Sequence, residues 1–248
     1  MSFMFTVSPD FTPDHLPGWY IFNSWLQKQT NLAIHLEIYN DFKSQREAIL
    51  SDSIDLIYAN PFDAAMLVRE KGFQPLVKAF GEADEVMIVT SVNNSVEEVV
   101  QLEKGIKIAF TEDPSVYMIG KILIEPGDLS EADINPLLSD TYILVAKRLL
   151  KGEADVGFFL AEAFDSLSPI IKKQLKILVR SQIDVIHHSL MIGPKLLNKK
   201  TVIQKVLVEM NDSEKGQGVL NSLEFNRWSE INENEMEFMI DLMDTLIT

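Results

Sequence analysis

The sequence predicts an α/β protein of two lobes, each with a mostly parallel sheet flanked by helices. Short β-type runs alternate with helical patterns along nearly all of the 248 residues, and this alternation is typical of βαβ units. We expect about ten short strands, which is more than one compact sheet normally holds. No repeat of solenoid length and no low-complexity linker interrupts the pattern. Two lobes therefore explain the alternation better than one.

The first third of the chain already shows this alternation. Apolar or alternating runs predict strands over residues 3–7, 32–39, 54–58 and 75–80. Helical spacing predicts helices over residues 19–29, 43–50 and 62–71. In the first helix, Trp19, Phe22 and Leu26 lie on one face and are expected in the core. Gly72 ends the third helix because glycine readily takes the left-handed conformation that closes helices.

The same alternation continues through the rest of the chain. Strands are predicted over residues 86–90, 106–110, 156–159, 176–179 and 190–192. Helices are predicted over residues 96–102, 114–124, 141–150, 170–174, 201–210, 216–223 and 235–246. The run Glu125-Pro126-Gly127 breaks the helix before it, since proline and glycine both disfavour a helix interior.

Composition excludes several classes of partner. The net charge is −15 and the isoelectric point is about 4.7, which argues against nucleic acid and anionic membrane surfaces. There is no cysteine, and no apolar run is long enough to cross a bilayer. The start, MSFMFTVSPD, lacks the pattern of a signal peptide. Two locations stay open: cytoplasmic if this start is native, and periplasmic if a signal peptide was removed.

The segment that most clearly predicts a ligand site is Gly105–Tyr117, GIKIAFTEDPSVY. Its strand runs directly into a helix start, with Pro114 where proline is tolerated. Such a start leaves backbone N–H groups unpaired and carries a partial positive charge, so it can bind an anion. We therefore predict a ligand-binding turn, whose residues are Thr111, Ser115, Val116 and Tyr117. The alternative is an ordinary helix cap.

Further candidates follow from the rule that ligands bind at the carboxyl ends of strands in open α/β sheets. The residues at these positions are Pro9, Asp10, Phe11, Tyr58, Asn60, Phe158, His187 and His188. Tyr58 would stack on or hydrogen-bond the ligand, Asn60 would donate from its amide, and Asp10 would suit a ligand amine. Only one of the adjacent histidines can face inward, because neighbouring strand residues point in opposite directions. For each, a structural role in a turn or in the core is the alternative.

No catalytic or metal-binding motif is found. The chain contains no nucleophile elbow, phosphate-binding loop or dinucleotide fingerprint. A metal site needs several ligands at close spacing, and His15 and His35 do not provide it. We expect no metal, no cofactor and no catalytic residue.

Several ordered segments resemble one known family. They are the opening VSPDFTPDHLPGWYIFNSWLQKQTNLAIHLEIYNDFKSQREAILSDSIDLIYANPFDAAML, then IAFTEDPSVYMIGKILIE, AKRLLKGEADVGFFLAEAFDSL, SQIDVIHHSLMIGPKLLNKKTVIQKVLVEM and VLNSLEFNRW. Together they resemble the phosphate, phosphite and phosphonate solute-binding proteins of ABC transporters, which have the type II periplasmic-binding fold. The resemblance covers nearly the whole chain and lies in the ordered set rather than in any single motif.

The resemblance implies a division of the chain and a way of binding. The first lobe would comprise residues 1–83 and 190–248, and the second residues 84–189, joined by two crossover strands. The ligand would bind in the cleft between the lobes, which would close on it by a hinge. The chain departs from the family at the anion turn, where Val116 and Met118 replace a small hydroxyl and a glycine. A tetrahedral oxyanion therefore finds fewer donors here.

Three functions remain open at this stage. The first is a binding protein for a small anionic or zwitterionic solute, phosphonate- or phosphite-like, whose partner is an ABC permease or a sensor protein. The second is a cytoplasmic enzyme on the same fold, like those of menaquinone- or thiamin-precursor synthesis, with His187 or His188 as its base. The third is a signalling sensor with a different ligand.

Overall fold

The structure is a computed structural model that describes residues 2–10 and 15–247. The chain divides into two compact units. Unit 1 comprises Met1–Ala83 and His187–Thr245, and unit 2 comprises Asp84–Ile186 and Leu246–Thr248. The chain returns to unit 1 at His187, slightly earlier than residue 190, where the sequence places the boundary.

Strands and helices alternate within both units. The strands are β1 (Phe3–Val7), β2 (Ile34–Glu37), β3 (Leu56–Ala59), β4 (Gln74–Ala79), β5 (Val86–Ser91), β6 (Ile106–Phe110), β7 (Ile134–Leu138), β8 (Val156–Leu160), β9 (Leu175–Arg180), β10 (Ser189–Ile192) and β11 (Trp228–Glu230). The helices are α1 (Leu16–Thr30), α2 (Phe42–Leu50), α3 (Pro61–Lys71), α4 (Pro114–Ile124), α5 (Tyr142–Leu150), α6 (Ala161–Asp165), α7 (Pro169–Lys172), α8 (Lys200–Val208), α9 (Glu214–Ser222) and α10 (Glu233–Ile247).

Each unit is built on one sheet, and both sheets are mixed. The order in unit 1 is β11-β4-β10-β3-β1-β2, and the order in unit 2 is β7-β6-β8-β5-β9. In unit 1, β1 pairs in parallel with β2 and β3, whereas β10 pairs antiparallel with β3 and β4. In unit 2, β6 pairs in parallel with β7 and β8, whereas β5 pairs antiparallel with β8 and β9.

The expectation of mostly parallel sheets therefore needs correction. In each unit, one strand lies between two strands of the opposite direction: β10 in unit 1 and β5 in unit 2. In unit 1, the edge strand β11 also pairs antiparallel with β4. A single insertion of this kind creates two antiparallel pairs at once. The α/β class and the two-lobe organisation are as predicted.

The core of unit 1 occupies both faces of its sheet. Along β3, Leu56 and Tyr58 pack into one buried cluster, while Ile57 and Ala59 pack into another. This follows from the strand's period of two, which directs alternate side chains to opposite faces. On the first face, Trp19 of α1 packs edge-on against Phe5, with ring centroids 6.0 Å apart.

Some elements differ from the prediction. Residues 96–102 contain only a short 3-10 turn, Val99–Gln101, instead of a helix. The strand β7 was not expected, because it contains Pro136, which cannot donate a backbone hydrogen bond. It is tolerated because β7 lies at the edge of its sheet and pairs with β6 alone. The short elements α6 and β11 were also not predicted. Among the described residues, the apolar helices all fall short of the length and hydropathy that a membrane span requires.

Candidate ligand-binding site

In unit 2, the candidate residues gather where β6 and β7 end. The two strands are parallel neighbours, and the Ser139 backbone N–H donates to the Phe110 carbonyl at 2.8 Å. Thr111 follows β6 and Ser139 follows β7, so both lie at the same edge of the sheet. This is the edge at which open α/β sheets bind ligands.

The helix α4 begins at this edge, and the side chain of Asp113 caps it. Its Oδ1 accepts hydrogen bonds from the backbone N–H groups of Ser115 at 3.0 Å and Val116 at 3.2 Å. Its Oδ2 accepts the Tyr142 hydroxyl at 3.1 Å, and the Asp113 carbonyl accepts the Tyr117 N–H at 3.1 Å. The backbone donors that the sequence assigned to an anion thus already bind a carboxylate of the chain itself.

Three hydroxyls at this edge have no such partner. The side-chain oxygens of Thr111, Ser115 and Ser139 are buried and make no hydrogen bond within the described part of the chain. Native proteins leave few buried polar groups unpaired, and a hydroxyl can both donate and accept. We call these residues the hydroxyl triplet. They are suited to an oxygen-rich ligand. The sequence analysis did not find Ser139, because Ser139 directly follows β7 and that strand was not predicted.

The apolar candidates of unit 2 have different surroundings. Phe158 is fully buried, and Gly120 of α4 packs so closely on its ring that an added Cβ would lie 2.3 Å from Cδ2. Val116 is also buried in the core. Tyr117 is only half-buried and packs on Phe110, with ring centroids 4.5 Å apart. Of these three candidates, Tyr117 is the most accessible to a ligand.

In unit 1, a polar network joins the ends of β1 and β3. Asn60 caps α3, because its Oδ1 accepts the Asp63 N–H at 2.8 Å. Its Nδ2 donates to Ser8 Oγ at 3.1 Å and to Asp63 Oδ2 at 2.8 Å. Both hydrogens of the amide that the sequence predicts as a ligand donor therefore already have acceptors within the chain.

A second cluster in unit 1 brings together three of the predicted residues. His188 Nε2 lies 3.0 Å from Asp10 Oδ2, and both side chains are buried. The Tyr58 ring packs on the His188 ring, with centroids 5.4 Å apart. Burial raises the pKa of Asp10, but the charge of His188 and hydrogen bonds from His188 and Ser8 outweigh it, so this pKa is lowered below its ordinary value. The second oxygen of the carboxylate, Oδ1, is buried and accepts no hydrogen bond from the residues that the structure describes.

The neighbouring histidine has other contacts. His187 Nε2 lies 3.6 Å from Glu235 Oε1, and its Nδ1 lies 3.2 Å from Ser189 Oγ. The two histidine rings therefore meet different acids, Glu235 and Asp10. Pro9 is partly buried. The remaining candidate of this loop, Phe11, lies outside the described residues. Among the described residues, no group of histidine, aspartate and glutamate is placed to hold a metal ion.

Two α/β units with mixed sheets of this order define the periplasmic-binding-protein fold, and the solved structures agree. The fold is similar to XAC2383 from Xanthomonas citri bound to chloride ion, with a TM-score of 0.82 at 12% identity over 99% of this chain and 98% of that chain. It is also similar to PhnD1 from Prochlorococcus marinus in complex with methylphosphonate, with a TM-score of 0.80 at 11% identity over 99% and 98% of the two chains.

A third similar structure is the binding protein component of an ABC phosphonate transporter, PA3383, from Pseudomonas aeruginosa. Its TM-score is 0.79 at 13% identity over 98% of this chain and 86% of that chain. Identities this low show the fold alone. No curated protein sequence matches this chain significantly.

The family follows from the sequence model. Residues 5–236 match the family model of the ABC transporter, phosphonate, periplasmic substrate-binding protein. The match spans most of the chain, so the protein belongs to this family. The family consists of ligand-binding components of transporters, and the resemblance expected from the sequence is confirmed.

Proposed function

We propose that this protein binds a small anionic or zwitterionic solute, phosphonate- or phosphite-like, for uptake by an ABC transporter. The observation that carries the proposal is the hydroxyl triplet, because three buried hydroxyls that find no hydrogen-bond partner among the described residues lie at the carboxyl edge of two parallel strands. An oxyanion would accept hydrogen bonds from all of them. Family membership supports the transport role.

Unit 1 supports the zwitterionic form of the ligand. Among the described residues, one buried carboxylate oxygen of Asp10 has no hydrogen-bond partner, and a ligand ammonium group would donate to it. We propose that both units contribute contacts to the ligand and that the protein closes on it, as the family resemblance implies. A solute that binds the closed state more tightly than the open state would drive that closure.

The proposal is tested by thermal unfolding in the presence of methylphosphonate, phosphite, phosphate, sulfate and aminoethylphosphonate. A ligand at about 100 times its dissociation constant adds about 2.7 kcal/mol of stability, which gives a clear rise in melting temperature. The test variant is Thr111→Val combined with Ser139→Ala, and the matched control is Ser166→Ala, whose hydroxyl bonds only its own helix at Glu162.

We expect a rise with at least one of these anions, loss of that rise in the test variant and its retention in the control. A stronger rise with aminoethylphosphonate than with methylphosphonate would support the role of Asp10. If no anion raises the melting temperature, the proposed ligand class is wrong and the sensor or enzyme functions must be tested instead.

A further inference from the structure

An arginine that the sequence did not single out lies beside the polar network of unit 1. Arg46, on α2, places its Nε 2.6 Å from Asp63 Oδ1. Asp63 is fully buried in the first turn of α3 and also accepts the amide of Asn60. A chain of hydrogen bonds thus runs from Ser8, at the end of β1, through Asn60 and Asp63 to the guanidinium. Arg46 therefore lies at the carboxyl edge of β1 and β3.

The guanidinium is held in a fixed orientation. Its Cζ lies 5.2 Å from the centre of the Phe42 ring and 5.0 Å from that of Phe62. Contacts with aromatic rings and the ion pair with Asp63 together restrict the plane of the group. Only 28% of the side chain is exposed. An arginine that served only for solubility would not need a fixed orientation of its guanidinium.

One nitrogen of this guanidinium, Arg46 Nη2, is buried and has no hydrogen-bond partner among the described residues. Asp63 Oδ1 accepts from Nε and Oδ2 accepts from Asn60, so both oxygens of the nearest carboxylate already have donors. Arg69 provides a contrast on the surface of the same unit, since its Nη2 reaches Asp241 at 3.0 Å and Asp244 at 2.8 Å.

We propose that Arg46 Nη2 donates to an anionic oxygen of the bound solute, so that Arg46 is a specificity-determining contact of unit 1. The inference rests on the proposed function. Because Asp63 balances its charge, Arg46 provides a directed donor with little net positive charge. Such a donor favours an oxyanion whose oxygen fits its direction over a spherical anion of equal charge.

The test compares anion affinity by isothermal titration calorimetry in the wild type, Arg46→Gln, Arg46→Lys and the control Arg69→Gln. The probes are methylphosphonate, phosphite, sulfate and chloride. We expect Arg46→Gln to weaken oxyanion binding roughly ten- to hundredfold, as for loss of a charge-assisted hydrogen bond. Arg46→Lys should restore only part of this, because lysine lacks the planar fork. Arg69→Gln should leave the affinity within about twofold of wild type.

Loss of Arg46 alone leaves Asp63 buried without its cation, which can impair folding. The double variant Arg46→Met, Asp63→Asn removes both charges and keeps the inference testable, since it should also bind weakly. Wild-type affinity in Arg46→Gln or in the double variant would overturn the inference. If the wild type binds and only the hydroxyl-triplet variant loses binding, the proposed function holds and the role of Arg46 is wrong. If the wild type binds none of these probes and none of the anions of the thermal-unfolding test, both are wrong.

Discussion

Replacing Asp113 tests whether the anion turn of this chain is closed by its own carboxylate. The side chain is 3% exposed and accepts hydrogen bonds from the N–H groups of Ser115 and Val116 and from the Tyr142 hydroxyl. In Asp113→Ala, all of these donors lose their acceptor. In Asp113→Asn, the side-chain oxygen can still cap the helix, but the negative charge is gone.

The expected cost of Asp113→Ala can be worked from these contacts. Loss of a helix N-cap costs about 1 kcal/mol. The Tyr142 hydroxyl is in a half-buried side chain, so leaving it without its acceptor adds about 1–2 kcal/mol. The free energy of unfolding should therefore fall by about 2–3 kcal/mol. Thr141→Ala is a matched control in the same unit, because Thr141 caps α5 through the Leu144 N–H alone, and it should cost about 1 kcal/mol.

Urea denaturation measures both changes, since the free energy of unfolding falls linearly with denaturant. Asp113→Asn should retain most of the stability and bind oxyanions more tightly than wild type, because a buried negative charge beside the hydroxyl triplet has been removed. An Asp113→Ala variant no less stable than Thr141→Ala would refute the capping argument. Weaker anion binding by Asp113→Asn would show that the carboxylate supports the ligand instead of opposing it.

Three further predictions concern the packing of Gly120, the titration of Asp10 and the hydrogen bonds that Glu85 accepts. Gly120→Ala should lower the free energy of unfolding by about 1–3 kcal/mol, since its Cβ would lie 2.3 Å from the Phe158 ring. Its control is Gly218→Ala, whose Cβ would have no atom within 4 Å and which should be neutral or stabilising in the same urea assay. Because the folded-state pKa of Asp10 is lowered, its contribution to stability is present above the ordinary pKa of 3.8 and is lost as pH falls through the folded value. Asp10→Asn should therefore lower the urea midpoint near neutral pH and reduce its loss on acidification; equal acid sensitivity in both proteins would contradict this. Glu85 accepts hydrogen bonds from the Ser181 hydroxyl and from the N–H groups of Ile183 and Asp184. Glu85→Ala should therefore lower the free energy of unfolding by more than about 2 kcal/mol. The control Glu103→Ala, at an exposed position, should lower it by less than about 0.5 kcal/mol.

Local patterns in the sequence predicted the boundary between β6 and α4 because the signals act within a few residues. The apolar run Ile106–Phe110 and the Asp113-Pro114 pair mark the end of a strand and the start of a helix, and the structure has both. The same signals could not tell whether the free amides would meet a ligand or the Asp113 side chain. An N-cap and an anion compete for the same donors, so the local pattern is identical in the two cases.

Contacts between distant residues could not be predicted in this way. Ser139 lies beside Thr111 because β7 pairs with β6. Pro136 prevents the prediction of β7 from the sequence, since proline disfavours a strand. Arg46 reaches Asp63 across 17 positions of the chain, and that pairing depends on how α2 and α3 pack on the sheet. A helical arginine with no ligand motif around it carries no local signal of such a role.

The starts of α3 and α4 share a feature that bears on the choice of ligand. Asp63 lies in the first turn of α3 and Asp113 caps α4, so each helix start at a candidate edge already holds a carboxylate of the chain. A dianion placed there would meet a like charge in a weakly screened environment. The groups left to recognise a ligand are neutral hydroxyls in unit 2 and, in unit 1, an arginine whose charge Asp63 balances. Recognition by directed donors without excess positive charge favours a singly charged or zwitterionic oxyanion over a dianion. The affinity for phosphite, methylphosphonate and phosphate can be measured across the pH range in which each anion gains its second charge. We expect the affinity for each to fall as that charge appears.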